Sequence, residues 1–95
     1  MIYQELVCEP GEHNGYESIR ISNIKDFLTP AQIKKIPQHR VVEDYGFWSD
    51  GTEKTTAVYL SDVFPTIIEN GFRYINTYWV PTTASESHKV LTFVK

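Results

Sequence analysis

The residues of this chain whose types invite chemistry are few and scattered. His13, His39 and His88 stand singly, with no His-x-x-x-His pair, and Cys8 is the only cysteine. A zinc site needs several nitrogen or sulfur ligands at recognisable spacing, so surface histidines are the ordinary reading and no metal is expected. Cys8 alternates with Leu6 at the end of an apolar run, which predicts a buried, inert thiol rather than a nucleophile. No Gly-x-Ser-x-Gly elbow is present, and the glycines are too scattered to cradle a phosphate before a helix. Glu43 and Asp44 are neighbours on an expected strand, where they point to opposite faces and cannot act on one substrate. The expectation is a non-enzyme without a cofactor.

Binding chemistry is better represented. Lys34, Lys35, His39 and Arg40 could form a basic rim with aromatics nearby to stack on bases. Yet 12 acidic residues outnumber 9 Lys and Arg, so a phosphate-backbone binder is not expected and a solvated face is the plainer reading. A nucleotide-like ligand is an alternative, with Tyr and Trp rings on the base and Arg20, Arg40 or Arg73 on phosphate. The most unusual candidate is a hairpin around Ser49-Asp50-Gly51-Thr52, which carries Phe47 and Trp48 close to its tip. One ring can enter the core, while the other packs on a helix or on Tyr16, or lies exposed. Exposed aromatics ringed by Glu43, Asp44, Asp50 and Glu53 have the character of a hot spot with electrostatic steering. Glu43, Asp44, Tyr45, Phe47, Trp48 and Asp50 are therefore the candidate partner-binding residues, with a basic protein surface as the expected partner.

These residues must be positioned by a small set of elements. Ile2–Cys8 alternates as a first strand. Pro10-Gly11 and Asn14-Gly15 mark a turn, after which Tyr16–Ser22 reads as a second strand paired to the first. Thr29-Pro30-Ala31-Gln32 is a capping-box helix start, and Pro37 stops that helix after roughly two turns. His39–Trp48 and Glu53–Leu60 form the hairpin, because Asp-Gly suits a tight turn. Ser61 or Asp62 can cap a second helix through Asn70, with Pro65 near its first turn and Val63, Phe64, Ile67 and Ile68 as its apolar stripe. Gly71 suits the left-handed position after that helix. Phe72–Val80 is aromatic and β-branched on both faces, which predicts a central strand with its rings in the core. Val90–Lys95 closes the chain.

The sum is an α+β fold: one domain over residues 1–95, with a single small, mostly antiparallel sheet of about six strands and two short helices packed on it. A hydrophobic content of 41% permits folding without disulfides or metals, and the lone cysteine favours a reducing, cytoplasmic setting. The N-terminus has no signal-peptide pattern and no apolar run is long enough to span a membrane, so the chain reads as intact from its first Met. Strand Tyr3–Val7, the stretch Ile67–Phe72 with its Gly-aromatic step, Val80-Pro81 and Val90–Lys95 together resemble a family of small bacterial and phage domains of unknown function. That resemblance implies the sheet and helix layout and no activity. The expected function is non-enzymatic protein binding, such as a phage or mobile-element product that inhibits or redirects a host protein. A homo-oligomer extending a sheet through Val90–Lys95 or Tyr16–Ser22 is a further alternative.

Overall fold

The computed structural model describes residues 1–9, 15–45, 54–81 and 86–95, with backbone alone at positions 44, 45, 54 and 55. Its elements in chain order are β1 (Tyr3–Val7), β2 (Ser18–Arg20), α1 (Pro30–Lys34), β3 (Val41–Tyr45), β4 (Lys54–Tyr59), α2 (Leu60–Glu69), β5 (Arg73–Pro81) and β6 (Ser87–Val94). Short 3-10 turns cover Ile21–Asn23 and Gln38–Arg40. The fold is α+β with antiparallel pairing throughout. Its strands fall into two three-stranded sheets, β1-β6-β5 and β2-β4-β3, instead of one. The division arises at β2, which pairs with β4 and not with β1 as its sequence suggested. A bond from the Glu9 N–H to the Ser18 carbonyl, 2.9 Å, still links the two segments.

In the first sheet the expected roles of the last two strands are exchanged. β6 is central, with Val90, Leu91, Thr92, Phe93 and Val94 all buried. The aromatic strand β5 lies at the edge: Tyr74 is 42% exposed, Ile75 44%, Tyr78 39%, Trp79 62% and Val80 40%. Aromatic and β-branched content measures fit to a pleated surface, not depth of burial. Tyr and Trp also carry a polar end that tolerates water. The mostly apolar run at 90–94 held the stronger claim to the centre.

The core is lined by Leu6, Cys8, Ile19, Ile24, Phe27, Leu28, Val58, Val63, Ile67, Phe72, Leu91 and Phe93, drawn from both sheets, α2 and the 24–28 turn. Phe93 is its aromatic hub, with ring centroids 5.4 Å from Phe27, 5.8 Å from Phe64 and 5.8 Å from Tyr74. α1 begins with the expected capping box: Thr29 Oγ1 accepts from the Gln32 N–H, and Gln32 Oε1 accepts from the Thr29 N–H. The same Gln32 amide exchanges hydrogen bonds with Asn70, at 2.8 and 2.9 Å, and Asn70 also donates to the Phe27 carbonyl. α1 is thereby fastened to the end of α2.

α2 departs from expectation at its start. β4 runs directly into it, Tyr59 is the N-cap without a side-chain cap, and Asp62 binds Arg40 instead. Pro65 lies inside the helix, beyond its first turn, so no N–H reaches back to the Ser61 carbonyl. Val63 and Ile67 are buried, whereas Ile68 is exposed and not part of the buried stripe. The helix ends as a Schellman motif, with Gly71 at φ +93° and bonds from Gly71 to Ile68 and Phe72 to Ile67.

Candidate protein-binding surface

The residues singled out around the hairpin divide sharply. β3 and β4 pair from Val41↔Val58 to Tyr45↔Lys54, so the ladder that would carry the hairpin is present. Glu43 is exposed on β3, and Asp44 and Tyr45 are described in backbone only. Phe47, Trp48 and Asp50 lie outside the described residues. Other readings can be placed more fully. Arg20 Nε is 2.6 Å from Glu9 Oε1, and Arg40 binds Asp62 through two nitrogens at 2.8 and 3.2 Å. Two of the three guanidinium groups expected to hold phosphate are thus engaged by carboxylates, while the third, Arg73, is exposed at the start of β5. The Arg40 guanidinium also lies over Tyr59 at 4.9 Å and Tyr16 at 5.7 Å, which occupies the ring faces a base would need.

Cys8 is fully buried, and burial pushes its thiol up to about 12, with the nearby Glu17 carboxylate adding to the effect. A thiol in that state is a packing group. His88 is half-buried, its Nδ1 2.9 Å from the Cys8 carbonyl, so one ring nitrogen is committed to the backbone. Among the described residues no three His, Cys, Asp or Glu side chains come together. An open cleft of about 460 Å³ runs between Tyr16–Glu17 and the start of α2, lined also by Leu60, Ser61, Phe64 and Pro65. It is mostly apolar and shallow.

The surface that stands apart is β5. Its geometry follows from the register of the first sheet. Ile2 and Lys95 exchange backbone bonds of 2.8 and 2.9 Å, and the Cys8 N–H reaches the Lys89 carbonyl at 2.8 Å. In an antiparallel ladder such pairs alternate, so residues 89, 91, 93 and 95 face β1 and residues 88, 90, 92 and 94 face β5. Their β5 partners are Val80, Tyr78, Asn76 and Arg73. Thr77, Trp79 and Pro81 consequently direct their backbone groups outward, where β5 has no strand neighbour among the described residues. Pro81 is tolerated there because its missing N–H would have faced solvent.

Side chains follow the same parity. Tyr74, Thr77 and Trp79 sit opposite Phe93, Leu91 and Lys89, on the face that holds the core. Tyr74 packs edge-on to Phe93 and Phe64, and its hydroxyl bonds to Thr77 Oγ1. Trp79 lies beyond the core's reach with the Lys89 ammonium 6.0 Å from its ring centre. Lys89 is held by Glu17 at 2.8 Å, and that hydrogen bond raises the ammonium above its ordinary value and keeps it charged. On the other face, Arg73, Asn76, Tyr78 and Val80 sit beside Val94, Thr92, Val90 and His88. There Tyr78 donates its hydroxyl to Glu5 of β1. A bulge between Tyr74 and Asn76 inserts Ile75 as an extra residue, locally twisting the edge.

Sequence reasoning passed over this surface because it assigned Tyr74, Tyr78 and Trp79 to packing. One signal was available: Pro81 at the end of the strand belongs on an edge. No family model matches the chain, and neither a curated protein nor a solved structure is similar to it.

Proposed function

We propose that this protein is a non-enzymatic protein-binding module whose working surface is the free edge of β5 and the apolar side chains along it. The observation that carries this reading is Trp79: 62% exposed, between exposed Tyr78 and Val80, on a strand with outward backbone groups to offer. Trp and Tyr supply much of the energy of protein interfaces because each removes a large apolar area from water with few rotors to fix. The Lys89–Glu17 pair supports Trp79 from below, so the ring is held ready for a partner. A phage or mobile-element product that blocks or redirects a host protein is one role such a module can fill.

The hairpin remains a second surface on one observation: β3 is one edge of the second sheet and exposes Glu43. Affinity capture with the full chain as bait separates the two. Trp79→Ala is expected to lose the captured protein, while Trp48→Ala and Asp50→Lys retain it. Loss confined to the hairpin variants would move the surface to the hairpin. Retention by all of them would remove both.

A further inference from the structure

We propose that the free edge of β5 pairs, antiparallel and about a two-fold axis, with the β5 edge of a second copy of this chain, joining two three-stranded sheets into one. The proposal rests on the reading of β5 as a binding edge and names its occupant. Backbone geometry comes first. The outward groups of the regular stretch are the N–H and C=O of Thr77 and Trp79, flanked by Pro81 on one side and the bulge at Ile75 on the other. A two-fold axis at Tyr78 sets each Thr77 opposite the second copy's Trp79, which uses all of those groups in narrow hydrogen-bonded pairs. Neither Pro81 nor the bulge then has to supply a bond in the centre.

Charge favours a second copy over a charged partner. The chain carries a net −3, so two copies meet with least repulsion where neither presents an acid. β5 holds a single charged residue, Arg73, at its very start. Antiparallel pairing carries the two Arg73 side chains to opposite ends of the joint, beyond the second copy's Pro81, so like charges never face each other. The cross-strand pairs are then Tyr78 with Tyr78, Asn76 with Val80 and Thr77 with Trp79, all neutral.

The area is of the right order for a reversible dimer. The exposed parts of Tyr74, Ile75, Tyr78, Trp79 and Val80 set a ceiling of roughly 1,000 Å² for two copies, near the lower limit for a specific interface. Backbone pairing adds to this, as it does when an extended segment joins any open sheet edge. The expected association is therefore concentration-dependent, not permanent.

Sedimentation of the intact chain from about 1 μM to about 1 mM is expected to pass from the monomer mass to the dimer mass. Over the same range, amide exchange at Thr77 and Trp79 is expected to slow by about tenfold or more, while Asn76 and Tyr78, already bonded to β6, stay unchanged. Thr77→Pro deletes an outward N–H and leaves the β6 ladder whole, so it is expected to shift the dimerisation midpoint at least about tenfold upward. The exchange measurement on the unmodified chain keeps the test valid if that variant misfolds. A monomer at every concentration overturns the proposal, as does a dimer whose Thr77 and Trp79 amides still exchange freely. If the chain is monomeric yet Trp79→Ala abolishes capture of a foreign protein, the second copy is refuted and the binding edge is kept. If Trp79→Ala alters neither, both are refuted.

Discussion

Trp79 and Cys8 sit in opposite side-chain environments, one exposed and one fully buried, and each has a measurable consequence. Trp79 leans on Lys89 but adds little to the core, so Trp79→Ala is expected to change unfolding free energy by no more than about 0.5 kcal/mol. The same substitution is expected to weaken partner binding by about 2 kcal/mol or more, as for an aromatic hot spot. Urea melts alongside binding titrations check the pair. Cys8 is the reverse case. Its folded pKa of about 12 exceeds the thiol's ordinary 9.0, so the folded chain holds the proton that the unfolded chain releases. Its stabilising contribution is complete below pH 9.0 and is lost as pH rises from there toward 12. Urea unfolding from pH 8 to 10.5 is expected to show falling stability, with a slope shallower by up to about 1.4 kcal/mol per pH unit in Cys8→Ala. Equal slopes would show that the thiol is not protected in the folded chain. The contribution of Lys89, whose pKa is also raised by folding, is lost only as pH rises above 10.5, and its partial exposure makes its share small.

At the scale of elements, the junction between α1 and α2 controls how the core closes. Asn70 bonds to both Gln32 and Phe27, so Asn70→Ala takes the partner from the half-buried Gln32 NH2 group and from the Phe27 carbonyl and is expected to cost about 1–2 kcal/mol. Gly71→Ala forces a Cβ into positive φ; the added atom meets Lys95 Cε at an ordinary 3.5 Å, so backbone strain alone sets a cost of about 1 kcal/mol. Chemical denaturation of the two variants measures both. The capping box at Thr29 and the Gly71 stop were legible in the sequence, because local hydrogen-bond chemistry dictates them and little else competes. Strand order was not. Which of two neighbouring strands lies inside depends on what α2 covers, and α2 reaches Phe93 of β6 through Phe64. The aromatic richness of β5 therefore gave a sound strand and a wrong place. The β2 pairing failed for a related reason: local alternation predicts a strand, but its partner is chosen by long-range packing.

At the scale of the molecule, two small sheets share one core and, among the described residues, leave different edges open. The first sheet ends in β5, which is long, nearly uncharged and aromatic; the second ends in β2 and β3. A long apolar edge is a hazard unless it has an occupant, since natural proteins usually blunt such edges with charge or short length. No helix among the described residues is long and apolar enough to cross a membrane. Of the proposed β5 edge only the kind of residue was legible in the sequence: exposed aromatics were expected to do the binding, but they were sought at Trp48, which lies outside the described residues, while Trp79 was assigned to packing. The most direct measurement places a photoreactive aromatic residue at position 79, at position 48 or at exposed Tyr3, and irradiates the chain in cells and at high purified concentration. Adducts from position 79, to a second copy or to another protein, with few from positions 48 and 3, are the expected result. Adducts from position 48 alone, or equally from all three, would contradict β5 as the working edge.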